Sequence, residues 1–244
     1  MRKIIPCLDF KDGMVVKGVN FVGIREVGDP LELAKKYNDD GADELTILDI
    51  AATVEGRKTK LEIINRVKKV ISIPLSVGGG IRNLNDIDDV LNAGADKVGI
   101  NTAAVKNKNL LSEAAKRYGK EKIILAVDTK RQANGKYTVY INAGREDTGF
   151  DLIDWVKEAE RLGVGEVLPT SIDTDGVTRG YDIDMYNLIC SAVSIPVTAS
   201  GGCGKLDDFR EVFTKTKVNA ALAASVFHFG TFTVREVKQY LGWI

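Results

Sequence analysis

The chain has 244 residues, and its 34 lysine and arginine residues are balanced by 34 aspartate and glutamate residues. This neutral balance argues against a nucleic-acid partner, because binding to a phosphate backbone needs a basic surface. The apolar stretches are too short for a membrane span and no secretory signal precedes the first predicted strand, so we expect a cytoplasmic protein without a membrane partner.

Eight short apolar strands, each followed by a segment of helical periodicity, are predicted along the chain. They begin near Ile4, Leu45, Ile73, Lys97, Ile123, Val167, Ile195 and Ala220. Their lack of polar alternation is typical of a parallel sheet covered on both faces. Asp29-Pro30 marks the start of the first helix. Asp12-Gly13 and Asn134-Gly135 each precede an alternating run, which predicts a hairpin after the first and fifth strands.

The second half of the sequence repeats landmarks of the first half about 120 residues later. Asp9 and Asp128 close equivalent apolar runs, and glycine-rich turns follow Pro74 and Pro196 at matching distances. The alternative to a closed barrel is two doubly wound sheets, but no linker lies near residue 120, and a four-stranded half would expose its edges. We therefore expect one domain, residues 1–244, in which half-barrels of about 1–121 and 122–244 form a (β/α)8 TIM barrel.

Polar residues end several predicted strands, and in TIM barrels the active site lies at the carboxyl ends of the strands. The set comprises Asp9, Asp49, Asn101, Asp128, Thr170, Ser200 and Ser225. Any single member could merely cap a turn, but the duplication pairs Asp9 with Asp128 on opposite strands of the barrel. Opposed carboxylates suit a general acid and a general base. His228 lies between two phenylalanines, and we expect it to pack or cap rather than to catalyse.

Glycine runs follow the third and seventh predicted strands, at 78–80 and 201–204. Glycine at the start of a helix lets backbone N–H groups approach an anion, although one run alone is a weak signal because tight turns also need glycine. Asn101-Thr102 and Ala224-Ser225 end the strands that follow, so the sequence predicts two phosphate sites and an elongated bis-phosphate substrate. The three scattered cysteines indicate reduced thiols, and the sequence predicts no metal site.

From about Lys3 to Leu241 the chain closely resembles the family of cyclase subunits of imidazole glycerol phosphate synthase. The motifs that carry the resemblance are Ile5-Pro6-Cys7-Leu8-Asp9, Val15-Val16-Lys17-Gly18, Gly28-Asp29-Pro30, Val77-Gly78-Gly79-Gly80-Ile81, Ala95-Asp96-Lys97-Val98, Ile100-Asn101-Thr102-Ala103-Ala104-Val105, Thr170-Ser171-Ile172-Asp173, Asp175-Gly176 and Ala223-Ala224-Ser225-Val226-Phe227-His228. The resemblance implies a lyase of histidine biosynthesis that needs no cofactor. Ammonia attacks the ribulosyl ketone of a formimino-aminoimidazole-carboxamide bis-phosphate, which yields imidazole glycerol phosphate and aminoimidazole carboxamide ribotide.

The resemblance also implies roles for individual residues. Asp9 and Asp128 match the family's general acid/base pair, and Lys17 matches a substrate contact on the mobile first loop. The other implied substrate-binding residues are Asp49, Gly80, Asn101, Thr102, Thr170, Asp175, Gly176, Ser200, Gly201, Gly202, Ala224 and Ser225. The family receives ammonia from a glutaminase subunit, its partner in a heterodimer, which docks on the N-terminal face of the barrel. The charged ring that the ammonia passes matches Lys3, Glu44, Lys97 and Glu166.

Some positions depart from the family pattern. Lys3 and Pro169 stand where the family usually has arginine and leucine, while Ala51, Gly99, Thr174 and Cys203 stand in place of threonine, serine, arginine and alanine. Pro169 lies inside a predicted strand, where its missing N–H removes a ladder hydrogen bond unless a bulge absorbs it.

Two alternatives to the cyclase remain open at this point. The sister bis-phosphate isomerase of the same pathway shares the duplicated barrel, both aspartates and both phosphate sites. The segment Asn101–Val105, the Lys17 loop and Phe227-His228-Phe229 favour the cyclase over the isomerase. A catalytically silent homologue that only binds phosphates or a partner is the other alternative.

Overall fold

The structure of the chain, a computed structural model, describes residues 2–19 and 22–244. The strands within these residues are β1 (Lys3–Lys11), β2 (Met14–Val19), β3 (Val22–Gly28), β4 (Leu45–Asp49), β5 (Leu75–Gly78), β6 (Lys97–Ile100), β7 (Ile123–Arg131), β8 (Tyr137–Ile141), β9 (Glu146–Asp151), β10 (Glu166–Ser171), β11 (Thr198–Ser200) and β12 (Ala220–Ala223). The helices are α1 (Pro30–Asp39), α2 (Leu61–Lys68), α3 (Leu84–Asn92), α4 (Thr102–Lys106), α5 (Asn109–Tyr118), α6 (Leu152–Arg161), α7 (Ile183–Ala192), α8 (Leu206–Lys215), α9 (Ser225–His228) and α10 (Val234–Tyr240), with a 3₁₀ turn at Lys120–Lys122.

Eight parallel strands close into a barrel. Around the barrel the order is β1, β4, β5, β6, β7, β10, β11 and β12, and β12 pairs with β1 to complete the circle. Strands of residues 1–121 meet strands of residues 122–244 at two pairs, β6–β7 and β12–β1. The predicted (β/α)8 TIM barrel is confirmed.

Both predicted hairpins are present. The antiparallel pairs β1–β2 and β2–β3 extend the first strand of the first half, and β7–β8 and β8–β9 do the same in the second half. Asp12 and Gly13 connect β1 to β2 with φ angles of 51° and 99°, the signs that a two-residue hairpin turn of type I′ requires. The duplication therefore includes the hairpins as well as the barrel strands.

The barrel strands begin within three residues of their predicted starts, and proline explains the two largest differences. β5 and β11 begin at Leu75 and Thr198, after Pro74 and Pro196. The carbonyls of these prolines accept hydrogen bonds from Leu45 and Val167, each at 2.9 Å. Proline has no N–H to donate in return, so regular pairing starts beyond it.

Successive side chains of each strand point to opposite sides of the barrel wall, so the core has two parts. Ile5 and Cys7 of β1 lie inside the barrel in a small apolar cluster with residues of β7, β10 and β12, whereas Ile4 and Leu8 pack outward in the larger core beneath the helices. Because Lys3 and Asp9 share the inward face with Ile5 and Cys7, they lie at opposite ends of the barrel interior. Among the helices of residues 2–19 and 22–244, none has the length and apolar character to span a membrane.

Candidate active site

Asp9 and Asp128 both line one cavity at the end of the barrel where the strands reach their carboxyl termini, which we call the mouth. Asp9 is on β1 and Asp128 is on β7, four strands away in either direction around the barrel. The fold therefore brings the two carboxyls predicted from the duplication to the same cavity from opposite sides.

Lys17 connects two carboxylates of this cavity. Its Nζ lies 3.0 Å from Oδ2 of Asp9 and 3.6 Å from Oδ1 of Asp175. The side chain comes from β2, so the first hairpin folds it over the mouth. Burial opposes the charge of Lys17, but the negative charges of Asp9 and Asp175 outweigh it and raise the pKa of Lys17 above its ordinary value. Lys17 therefore stays protonated and holds Asp9 as the partner of a buried cation.

Asp128 has different surroundings. Burial, and then the charge of Asp175, raise the pKa of Asp128 to about 7, while a hydrogen bond from Asn101 acts in the opposite direction. That bond runs from Asn101 Nδ2 to Asp128 Oδ2 at 3.1 Å. A carboxyl with a pKa near 7 is partly protonated at neutral pH, so Asp128 can give up a proton as well as accept one.

Residues from the ends of β10, β11 and β12 form one wall of the cavity. The predicted site residues in this wall are Thr170, Asp175, Gly176, Ser200, Gly201, Gly202, Ala224 and Ser225. Thr170 Oγ1 donates to Ser200 Oγ at 3.2 Å. A Cβ atom on Gly202 would lie 2.1 Å from the carbonyl oxygen of Gly180, so only glycine fits this turn. We call Gly201, Gly202, Ala224 and Ser225 the second anion site.

The matching residues of the first half, Gly80, Asn101 and Thr102, are the predicted first anion site, and they are absent from the cavity wall formed by the described residues. The loop 51–59, between β4 and α2, covers Gly80. Its Thr53 Oγ1 accepts a hydrogen bond from the N–H of Gly80 at 3.2 Å, and Thr59 Oγ1 donates to the carbonyl of Gly79. Thr102 Oγ1 accepts from the N–H of Asn142, in the turn between β8 and β9, at 3.0 Å. The two predicted anion sites therefore differ in their access to the cavity.

Asp49 lies at the end of β4 as expected, but its carboxylate faces Arg57 instead of the cavity. Arg57 Nη1 and Nη2 lie 2.6 and 2.8 Å from the two carboxylate oxygens, and the N–H of Ala52 donates to Oδ1 at 3.1 Å. Only 1% of the Asp49 side chain is exposed. In this arrangement Asp49 anchors the loop 51–59.

The four charged residues predicted at the base of the barrel form a connected network. Glu44 Oε2 lies 3.0 Å from Nζ of Lys3 and 3.0 Å from Nζ of Lys97, and Lys97 Nζ lies 2.8 Å from Glu166 Oε2. Thr198 donates to the other oxygen of Glu166 at 2.7 Å. We call these five residues the basal network. Burial opposes the charge of Lys97, but Glu166 and Glu44 raise its pKa.

His228 lies behind the site. Its Nδ1 is 2.6 Å from the hydroxyl of Tyr37, and burial lowers the pKa of His228 to about 4, so the ring is neutral at physiological pH.

The structure also shows a cavity residue that the sequence analysis missed. Arg145, in the turn between β8 and β9, lines the cavity together with Ala143. The only sequence signal for Arg145 was a cation in the turn that connects β8 to β9.

Comparisons with known proteins assign the chain to a family. The model of the histidine biosynthesis protein family matches residues 3–233. Two relatives named "Imidazole glycerol phosphate synthase subunit HisF", from Lactococcus lactis subsp. cremoris (strain SK11) and Lactococcus lactis subsp. lactis (strain IL1403), are each 54% identical over 241 residues. Those residues cover 98% of this chain and 93% of each relative. The chain belongs to the HisF family.

HisF proteins are cyclase subunits of an enzyme of histidine biosynthesis, so the family confirms the lyase that the sequence predicted. The relatives are named as HisF subunits, which decides between the cyclase and the sister isomerase in favour of the cyclase. Their names describe subunits, which agrees with a chain that works beside a partner. The roles of single residues remain predictions, and the distances in the cavity show which contacts would test them.

Proposed function

We propose that this chain combines ammonia with the formimino-aminoimidazole-carboxamide ribulosyl bis-phosphate to form imidazole glycerol phosphate and aminoimidazole carboxamide ribotide. The observation that carries the proposal is that Asp9 and Asp128 line one cavity from opposite strands, one paired with a lysine and the other with a pKa near 7. The reaction needs proton transfers on both sides of a small reacting centre, which two opposed carboxyls can supply.

The residues suggest an order of proton transfers. When the ammonia nitrogen bonds to the ketone carbon, the new amine must lose protons and the ketone oxygen must leave as water. Asp9, held beside Lys17, is suited to accept a proton from the amine. Asp128, partly protonated near neutral pH, is suited to donate a proton to the departing oxygen. The imine nitrogen then attacks the formimino carbon, and the protons of the imine and of the formimino N–H pass to the nitrogen of the departing carboxamide ribotide. A proton then moves from the carbon beside the former ketone to a ring nitrogen, which gives the aromatic imidazole.

The second anion site would hold one phosphate of the substrate. Gly201 and Gly202 have φ angles of 90° and 104°, and Ser225 is the first residue of α9, so backbone N–H groups and a hydroxyl converge at this wall. The other phosphate would bind at the first anion site after the loop 51–59 shifts from Gly80. Arg145 is positioned on the cavity wall to neutralise phosphate charge.

We propose that a glutaminase subunit docks at the base of the barrel and delivers ammonia through its interior. The basal network lies at the start of the strands, on the axis that leads past Ile5 and Cys7 to Asp9. Above it, the hydroxyls of Thr46 and Ser76 are bonded to each other at 2.8 Å on neighbouring strands. The hydroxyl groups of such side chains can donate hydrogen bonds to a neutral ammonia molecule and accept hydrogen bonds from it.

The test is a spectrophotometric assay of the purified chain with the bis-phosphate and an ammonium salt at high pH, without a glutaminase. We expect turnover in the wild type and its loss in Asp9→Asn, with bis-phosphate binding nearly intact in that variant. Asp173→Asn is the control, because Asp173 accepts from the backbone N–H of Arg131 outside the cavity wall. A wild type that binds the substrate without turning it over would identify a silent homologue.

A further inference from the structure

Pro169 leaves a gap in the hydrogen-bond ladder of the barrel. On the side of β7, β10 keeps an unbroken register from Glu166 to Ser171, so no bulge absorbs the proline. On the other side, the N–H of Val167 reaches the carbonyl of Pro196 across to β11. Alternate residues of a strand direct their backbone groups to the same neighbour, so position 169 also faces β11, where proline has no N–H to donate.

The hydroxyl of Tyr186, from α7, lies beside this gap, between the backbones of β10 and β11. It accepts a hydrogen bond from the N–H of Ser200 at 2.8 Å and lies 3.2 Å from the carbonyl oxygen of Pro169 and 2.7 Å from that of Ser200. The register Thr170–Ser200 directs the Ser200 N–H toward the Pro169 carbonyl, so the hydroxyl supplements the ladder next to the place where residue 169 has no N–H. Tyr186 is fully buried, and burial raises its pKa far above the usual range, so the hydroxyl keeps its proton and bridges the two strands.

The bridge lies directly beneath two side chains of the cavity wall. Thr170 follows Pro169, and its hydroxyl donates to Ser200 Oγ at the mouth. Among the described residues, the register points between β10 and the segment of β11 are the bridge Val167–Val197 and the pair Thr170–Ser200, and only the second lies at the level of the mouth. A change in the bridge would therefore displace both hydroxyls relative to the second anion site.

We infer that Tyr186 is a positioning residue for the cyclase site, which adds bonds between β10 and β11 beside the ladder bond that Pro169 cannot make and thereby holds Thr170 and Ser200 in place for the bis-phosphate. This inference rests on the proposed function for its catalytic consequence. Its structural part, a hydroxyl bridge between β10 and β11, can be tested without turnover.

The first experiment compares Tyr186→Phe with Tyr118→Phe. Both variants lose a hydroxyl that donates to a backbone carbonyl, but Tyr118 bonds to Leu84 on the outer helices, away from the mouth. We expect Tyr186→Phe to raise KM for the bis-phosphate about tenfold with a smaller change in kcat, while Tyr118→Phe leaves both within about twofold. Unchanged KM and kcat in Tyr186→Phe would overturn the positioning role.

The second experiment uses Pro169→Leu, which restores an N–H to β10. The register places that N–H opposite the carbonyl of Thr198, so β10 and β11 gain a direct bond, and adding Tyr186→Phe should change KM less than threefold. An undiminished effect of Tyr186→Phe in this background would overturn the link to Pro169.

Amide hydrogen exchange at Ser200 separates this inference from the proposed function. Tyr186→Phe should speed exchange of the Ser200 N–H at least tenfold in the Pro169 chain, and much less in the Pro169→Leu chain. If Tyr186→Phe speeds the exchange of the Ser200 N–H but the wild-type protein shows no turnover, the proposed function is wrong and the bridge is supported. If Tyr186→Phe leaves the exchange of the Ser200 N–H unchanged, the bridge is contradicted, whatever the turnover.

Discussion

Asp128 is a carboxyl whose surroundings favour its neutral form. Burial and the charge of Asp175 raise its pKa to about 7 from the ordinary value of 3.8, so the folded protein holds this proton more tightly than the unfolded chain does. The stability associated with the proton is complete at pH values below the unfolded pKa, and it is lost as pH rises through the folded pKa. An active site that needs a proton donor at neutral pH thus carries a cost in stability above pH 7.

Asp128→Asn should remove that cost together with the activity. Because asparagine stays neutral, we expect the stability of the variant relative to wild type to rise by on the order of 3 kcal/mol between pH 4.5 and pH 8. Urea unfolding at the two pH values measures the difference. Asp9→Asn serves as a comparison, since losing the partner of Lys17 should destabilise the protein at pH 8. A relative stability of Asp128→Asn that is the same at both pH values would show that Asp128 is not neutralised by burial.

Arg145 offers a second prediction at the scale of single residues. Among the residues that the structure describes, the charged groups of the cavity wall are Asp9, Asp128, Asp175, Lys17 and Arg145. Lys17 is already paired with two of the carboxylates, so Arg145 is the cation best placed for a phosphate. We expect Arg145→Gln to raise KM for the bis-phosphate about tenfold or more, since a charged hydrogen bond contributes about 1.5–3 kcal/mol.

Arg145→Lys is the matched control, because it keeps the charge while losing the planar fork of donors. Steady-state kinetics at low and high salt should show a smaller rise in KM for this variant. If Arg145→Gln leaves KM unchanged at low salt, the phosphate lies elsewhere.

Single residues differ in how well the sequence predicted them. Asp9 and Asp128 could be predicted because the duplication pairs them and because each ends an apolar run. Tyr186 could not, because its role depends on where α7 places a hydroxyl relative to a strand 14 residues away in sequence. The pairing of Asp49 with Arg57 also requires the path of a loop, which no periodic pattern fixes.

At the scale of elements, the loop 51–59 covers Gly80 of the predicted first anion site. Arg57 ties the loop to Asp49, and Thr53 binds the Gly80 N–H that a phosphate would need. The strands and hairpins could be predicted because proline, glycine and apolar periodicity mark them. The covered state of Gly80 could not, because glycine-rich turns look alike in both halves and the difference comes from this loop.

Thr53→Val should favour binding by releasing the Gly80 N–H. The hydrogen bond that is removed is neutral and contributes about 1 kcal/mol, so KM for the bis-phosphate should fall by up to about fivefold. Thr53→Ser keeps the hydroxyl and should behave like the wild type. A higher KM in Thr53→Val alone would mean that the Thr53 hydroxyl itself contacts the substrate.

At the scale of the whole molecule, the basal network joins the two halves of the chain. Lys3, Glu44 and Lys97 belong to the first half, and Glu166 and Thr198 belong to the second. We propose that residues 1–244 form one domain because the closed ladder and this network both cross the boundary near residue 121. Such a domain should unfold in urea in one transition that is the same by fluorescence and by circular dichroism.

Lys97→Met tests how much the basal network contributes to the stability of the joined halves. Lys97 is the only described residue of the network that pairs with two carboxylates, and Glu44 and Glu166 are 1% and 12% exposed. Removing the lysine leaves buried negative charge poorly compensated, so we expect a loss of about 3–5 kcal/mol in the free energy of unfolding. Lys3→Met is the control, because Lys3 is 40% exposed and pairs with Glu44 alone, and we expect it to lose less than about 1 kcal/mol. Equal losses in the two variants would show that Lys97 does not link the half-barrels, because burial between two carboxylates is what sets it apart from Lys3.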